Sequence, residues 1–198
     1  LNKTSRRPHR TGTTEAPSDP DLLRDVADGD PIALGALYDR YAPDVWRAAR
    51  RTLGDSADAD DVVHATFLNL RRIAGSFDGR TSCRNWLRGI AVRLALRHRR
   101  GTGRFRRMLE SLGQNAVAAG VVAHPERQAS DNEELRLVER ALARLQPKKR
   151  AAFVLVELEG LTTEEAAKAL EVPAATVRTR LFNARRELKA ALHSARPR

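Results

Sequence analysis

A single cysteine, Cys83, stands among 198 residues, so neither an internal disulfide nor a thiolate zinc cluster can hold the chain together. No apolar run approaches the roughly 18 residues that a membrane span needs, and the N-terminal stretch lacks the apolar core of a signal peptide. The expectation is a cytoplasmic chain without membrane insertion. Strand alternation bounded by hairpin turns is missing, which leaves an all-α fold. No glycine-rich phosphate loop is present, and no Ser or Cys sits beside a plausible His base. His9, His98, His124 and His193 are scattered among basic or linker residues, as surface groups are. Negative charge is also in short supply: 36 Lys and Arg face 25 Asp and Glu, for a formal net charge of +11. That balance suits a polyanion, either nucleic acid or an anionic membrane surface.

The apolar periodicity divides the chain. Residues 1–20 are rich in Thr, Ser, Pro and Arg and too poor in apolar side chains to offset the entropy of ordering, so they read as a disordered basic tail. Residues 21–100 carry helical patterns, seen in Leu34, Leu37, Tyr38 and Tyr41, in Val63, Phe67 and Leu70, and in Trp86, Leu87, Ile90 and Leu94. Residues 101–132 hold Gly101, Gly103, Gly113, Gly120 and Pro125 and read as a flexible linker, with a short helix near Phe105 to Leu112. Periodicity resumes over 133–192 with Leu135, Val138, Leu142 and Leu145, leaving 193–198 as a tail. The expected architecture is two small helical domains joined by that linker, the C-terminal one a four-helix unit.

Residues 161–190 are the most specific stretch. Thr162 with Glu165 has capping-box spacing, which starts a helix near Thr163. Pro173 cannot continue that helix but suits the opening turn of another, so Glu171 to Pro173 form a turn. In the second helix Val177, Leu181, Ala184 and Leu188 make one buried stripe. At about 100° per residue, Ala175, Thr179, Asn183 and Arg186 point outward, flanked by Arg178 and Arg180. This is a helix-turn-helix whose exposed face can enter a major groove, with an amide suited to adenine and guanidiniums suited to guanine or phosphate. An ordinary helical hairpin with a solvated cationic face would share the periodicity.

Charge is segregated in the first block as well. Ten arginines and no acidic residue lie between Arg80 and Arg107, interleaved with Trp86 and Phe105. A solvated helix face normally mixes signs, so this run suits phosphate. Just upstream, Asp55, Asp58, Asp60 and Asp61 crowd the start of a helix that ends in Arg71 and Arg72. Carboxylates there favour the helix dipole, and a helix with an acidic entrance, an apolar stripe and a cationic exit can also dock on another protein's helices.

The stretch from ALYDRYAPDVWRAARR to CRNWLRGIAVRLA resembles the second conserved region of bacterial sigma factors of the extracytoplasmic-function type. LARLQPKKRAAFVLVELEGLTTEEAAKALEVPAATVRTRLFNARREL is similar to their fourth region. The two occur in the family's order with a linker between. The resemblance implies an RNA polymerase specificity subunit, monomeric when free, with no cofactor and no metal. Its partners would be core RNA polymerase, promoter DNA and an anti-sigma protein. The acidic helix would dock on the polymerase through Asp58, Asp60, Asp61, Phe67, Leu70 and Arg71. The minus-10 element would be met by Phe77, Arg80, Ser82, Arg84 and Asn85 around a base-capturing loop, with Arg88, Arg93, Arg97, Arg99 and Arg100 along the melted strand. An extruded base needs such a pocket, and an exposed strand needs cations. Trp86, beside Leu87 and Ile90, is expected to anchor the loop in the core rather than stack on a base. The minus-35 element would be read by Ala174, Ala175, Thr176, Arg178, Thr179, Arg180 and Asn183.

The chain departs from the family pattern at several points. His64 and Ala65 replace a Gln-Glu pair after the acidic residues, Arg93 stands where Asn is usual, Arg97 lies near a usual Asp, and Ala166-Ala167 replace Ile-Ala. Two other readings share parts of the sequence. A dimeric repressor explains the C-terminal block but neither the acidic helix nor the arginine run. A metal-dependent nucleic-acid enzyme would draw on Asp60, Asp61 and His64, at three- and four-residue spacing on one helix.

Overall fold

The computed structural model describes residues 16–54, 57–111 and 133–194. The expected linker beyond residue 111, most of the N-terminal tail and the last four residues lie outside the described residues. Eight α-helices are described: α1 Asp19–Ala27, α2 Pro31–Leu53, α3 Ala57–Ile73, α4 Cys83–Ser111, α5 Glu133–Arg144, α6 Pro147–Phe153, α7 Thr163–Leu170 and α8 Ala174–Ser194. The all-α expectation holds over them.

Local chemistry fixes most helix ends. Asp30 accepts from the Ile32 amide at 2.8 Å and Pro31 opens α2, where its missing donor costs nothing. Gly54, at φ +87°, turns the chain out of α2 while its amide donates to Arg50 O at 2.7 Å. A 3₁₀ turn, Ala74–Ser76, ends α3. One π-type turn, Val154–Leu158, carries α6 into the loop before α7. The arginine-rich helix runs further than expected: α4 continues through Gly101 and Gly103 to Ser111. Each glycine costs about 1 kcal/mol against alanine in a helix, but no proline intervenes and the neighbouring arginines are good helix formers.

Helices α1 to α4 enclose one core, with Leu22, Leu37, Val45, Val62, Phe67, Leu70, Leu87 and Ile90 among its buried side chains. Asp19 clips α1 to α2 by accepting from both Arg40 and the Tyr41 hydroxyl. In the second half, Leu142, Leu145, Ala184 and Leu188 pack α5 against α8. The remaining core belongs to both halves. Ala48 of α2 and Val92 and Leu96 of α4 pack with Ala151, Leu155, Leu161, Ala166 and Val177. The helix-turn-helix unit therefore lies directly on α2 and α4.

Polar groups close the same junction. Arg150 is 2% exposed and donates to Thr52 O at 3.2 Å and Leu53 O at 3.3 Å, meeting the orphan carbonyls at the α2 C-terminus. Burial, reinforced by the charge of Arg99, pushes its pKa down to about 10. A side-chain carbon on Gly54 would come within 3.3 Å of that guanidinium.

Cys83 is buried, and burial with the nearby Asp19 charge pushes its thiol up to about 12. The thiolate is the reactive form. A chromogenic thiol reagent at pH 8 should therefore react negligibly with the native chain and fully with its single cysteine in denaturant.

Candidate functional site

Three surfaces carry the residues singled out by sequence. On α3 the burial pattern divides them. Phe67 and Leu70, expected to take part in docking, are 4% and 0% exposed and belong to the core. The 3.6-residue period turns Leu68 outward instead, and it is 79% exposed. Asp61, His64, Leu68, Arg71 and Arg72 form the exposed side of the helix. The Arg71 guanidinium also lies over the α1–α2 turn, within 3.1 Å of where a side-chain carbon on Gly29 would sit. Asp58 is paired with His98 of α4 at 3.2 Å. Asp60, Asp61 and His64 do not form the ligand group that the metal reading needs. Among the described residues the donors that converge are those of Asp58, Asp61 and His98, within 4.8 Å of one another.

The second surface runs from the loop after the 3₁₀ turn along α4. Phe77 packs on Trp86 with ring centroids 5.3 Å apart, and both rest, partly buried, against the core. Ser82 accepts from the Asn85 amide at 3.2 Å, so its hydroxyl serves the start of α4. Arg80 remains exposed, 3.7 Å from Asp78. Arg84, Arg88, Arg93 and Arg97 are engaged. Arg84 and Arg88 meet Asp44 at 3.3 and 2.7 Å, and Arg47 also donates to it. Arg88, 14% exposed, also reaches Glu159 at 3.1 Å. The Glu159 side chain is only 1% exposed and is held on its other side by Arg51 at 2.8 Å. Arg93 pairs with Glu171, and Arg97 lies 3.9 Å from the same carboxylate. Thr81 donates to Glu165. Arg99 is half-buried, and the Arg100 side chain lies outside the described residues. A cavity of about 280 Å³ opens between the loop and α7, lined by Arg80, Thr81, Asn85, Trp86, Glu165 and Lys168 among others.

The third surface is the outer side of α8. The capping box forms in full: the Glu165 amide donates to Thr162 Oγ1 at 3.1 Å, and the Thr162 amide donates to Glu165 at 2.8 Å. Glu171 adopts φ +54°, a left-handed turn residue, and α8 starts just after Pro173. Val177, Leu181, Ala184 and Leu188 are buried as their spacing requires. Ala175, Arg178 and Thr179 are exposed, while Ala174, Thr176, Arg180 and Asn183 are half-exposed. Thr179 and Asn183 donate to backbone carbonyls one turn back, each at 3.0 Å, and Arg178 lies 3.5 Å from Glu164. Phe182, 65% exposed on this face, was not among the expected contacts. Its signal was an aromatic residue lying off the buried stripe.

Two titrating groups report on these contacts. Burial pushes the Asp44 carboxyl up, but hydrogen bonding and charge from Arg88, then Arg84 and Arg47, outweigh it and leave the pKa below the usual range. The Glu165 pKa is lowered by the hydrogen bond from Thr81, then by Thr162 and Asn85.

Comparison with known proteins supplies the context. Residues 37–105 match the family model for Sigma-70 region 2, and residues 135–188 match that for Sigma-70, region 4. The chain is 32% identical over 187 residues to RNA polymerase sigma factor NccH of Alcaligenes xylosoxydans xylosoxydans, covering 92% of this chain and 98% of that protein. It is 34% identical over 172 residues to ECF RNA polymerase sigma factor SigM of Mycobacterium tuberculosis, covering 86% of this chain and 83% of the relative. Among solved structures, CnrH in complex with the cytosolic domain of CnrY aligns with a TM-score of 0.61 at 28% identity, over 90% of this chain and 99% of that one. The sigma factor RpoE of Bartonella quintana, solved with the anti-sigma factor NepR, has the same TM-score at 22% identity, over 82% and 98%, and shares the fold.

A depressed carboxyl pKa stabilises the fold above the unfolded value, near 4 for Asp, and that contribution is lost as pH falls through the folded value. Thermal unfolding from pH 6 down to pH 2.5 should show a steep acid limb. The Asp44→Asn variant should be less stable at pH 6 and have a shallower limb.

Proposed function

The chain belongs to the sigma-70 family, in its extracytoplasmic-function branch, and directs bacterial RNA polymerase to promoters; from that premise we propose how its surfaces divide the work. Residues 21–111 form the unit that docks on polymerase and handles the minus-10 element, and residues 133–192 the unit that reads the minus-35 element. The exposed side of α3, with Asp61, His64, Leu68 and Arg71, is the polymerase contact. It offers an acidic start, a bare leucine and a cationic end, which together suit a partner helix pair of mixed charge. Asp58 and Asp60 sit beside this strip and orient its first turn.

Arg80, Thr81, Arg84 and Asn85 surround the base-accepting loop, and Arg88, Arg93 and Arg97 supply phosphate contacts along α4. The outer face of α8 reads the minus-35 duplex. The observation that carries this reading is the exposed row Arg178, Thr179 and Phe182, with half-exposed Asn183 beside it, on a helix anchored by a complete capping box and a buried stripe. Guanidinium and amide groups read base edges by paired hydrogen bonds, and an exposed ring can cover a thymine methyl. Ala174 and Ala175 leave room for the backbone to approach, and Thr176 and Arg180 face phosphate. We infer that bond-forming chemistry is the polymerase's and that this chain supplies recognition alone. It acts in the cytoplasm, bound to the nucleoid when on polymerase, and an anti-sigma protein is its natural antagonist.

Gel filtration with core RNA polymerase tests the docking face. Wild type should co-elute, and a chain carrying Asp61→Arg with Leu68→Arg should run free while keeping its helical circular dichroism. Co-elution of that variant would move the docking face elsewhere. For the minus-35 face, Asn183→Ala should cost about 1–3 kcal/mol at the preferred promoter and relax one base position. Arg180→Ala should weaken all promoters alike, as read by holoenzyme filter binding.

A further inference from the structure

We propose that Asp58, Asp61 and His98 form a binding site for a zinc-class divalent cation where α3 meets α4, and that filling it withdraws Asp61 from the polymerase contact. The second half of the proposal rests on the assignment of Asp61 to polymerase docking; the first half does not. Asp58 and Asp61 stand three residues apart in the opening turns of α3, and His98 comes from α4. Donor atoms of all three lie within 4.8 Å of one another. Asp60, which lies between the two carboxylates in sequence, lines a different pocket with Trp46 and Arg47.

The spacing suits a small ion. Nε2 of His98 is 3.2 Å from an Asp58 oxygen. Neighbouring ligands of a tetrahedral zinc ion, with bonds of about 2.0–2.2 Å, stand about 3.3–3.6 Å apart, so this pair is already close to ligand spacing. Asp61 is exposed, and rotation of its side chain brings in the third donor. The donor set also selects among metals. Calcium and magnesium prefer shells made of oxygen alone, whereas an imidazole beside carboxylates suits zinc and its transition-metal neighbours. Two carboxylates balance the charge of one divalent ion, and water completes a four-coordinate shell.

A simple ion pair does not account for the trio. One carboxylate is enough to partner His98, and a second brought to the same point adds like-charge repulsion that a divalent cation relieves. The helix dipole favours carboxylates at the start of α3 but calls for no imidazole. Within the run Arg97–Arg100, His98 is the one side chain able to ligate a metal. An ion held here ties the first turns of α3 to α4 and neutralises the acidic end of the docking strip, leaving Leu68 and Arg71 as they are. The metal-loaded chain therefore docks on polymerase more weakly than the metal-free chain. Loss of one or two charged hydrogen bonds corresponds to a drop of about tenfold or more in affinity.

The test uses the full chain and zinc chloride, with magnesium chloride as the comparison. Titration calorimetry and thermal unfolding read binding, and cobalt(II) in place of zinc gives a visible absorption that reports the ligand set. The expected result is one zinc ion per chain, no response to magnesium, and a melting temperature raised by about 5–10 °C at a hundredfold excess over the dissociation constant. His98→Gln should abolish the binding and the cobalt band while keeping the wild-type circular dichroism, and His64→Gln should keep both. Zinc uptake that His98→Gln leaves intact, or that His64→Gln removes, would overturn the site. Affinity for core polymerase is then measured with and without zinc. Wild type should weaken about tenfold on zinc addition, and His98→Gln should dock equally in both conditions, which removes any effect of zinc on the polymerase itself. If zinc binds through His98 and wild-type docking does not change, Asp61→Asn in zinc-free buffer separates the two causes. Weaker docking of that variant would overturn the coupling between metal and docking, and unchanged docking would overturn the assignment of Asp61 to the polymerase contact.

Discussion

The buried carboxylate of Glu159 is the interaction around which the two halves are arranged. It sits between Arg51 of α2 and Arg88 of α4, with almost no exposure. An isolated ion in such a place is costly, and removing one partner of a buried pair commonly costs about 3–5 kcal/mol. The position is tolerable because two guanidiniums converge on it. Arg88 is in turn shared with Asp44, which also gathers Arg47 and Arg84. One network therefore ties the C-terminal end of the π turn to α2 and α4. Arg150 repeats the arrangement in the opposite sense, a cation from the second half set on the carbonyl end of α2.

These contacts share a logic. Apolar burial at the junction is supplied by small and medium side chains such as Ala48, Val92, Ala151 and Ala166, which let helices approach but bury little surface each. The polar contacts then determine which face meets which. They use the same arginines that are proposed above to meet DNA. A phosphate backbone offers those guanidiniums an equivalent partner. The α3 strip and the outer side of α8 take no part in these contacts and stay open to solvent.

Within each half the sequence was informative where the physics is local. The capping box at Thr162 and Glu165, the turn at Glu171 to Pro173, and the buried row of Val177, Leu181, Ala184 and Leu188 follow from neighbours three and four residues apart. The rotation of α3 was less legible. Phe67 and Leu70 are apolar residues in a helix expected to dock, and sequence alone does not say whether such residues face a partner or the core. Leu68 was overlooked because it lies off the periodic stripe, and Phe182 escaped for the same reason. The length of α4 was underestimated because two glycines read as a break, although neither removes a backbone donor.

Sequence by itself determined the all-α class, the start and turn of the helix-turn-helix, its buried stripe and the excess of positive charge in α4, since each depends on local spacing or on composition. Only the tertiary structure decided that Arg88 and Arg93 face carboxylates more than 70 residues away in sequence, and that Ala169 of α7 approaches Gly89 so closely that a side-chain carbon there would lie 2.7 Å from its Cβ. Those outcomes depend on which helix faces meet across the domain junction. Such a meeting is set by shape and charge summed over both domains, which no local window of the chain contains.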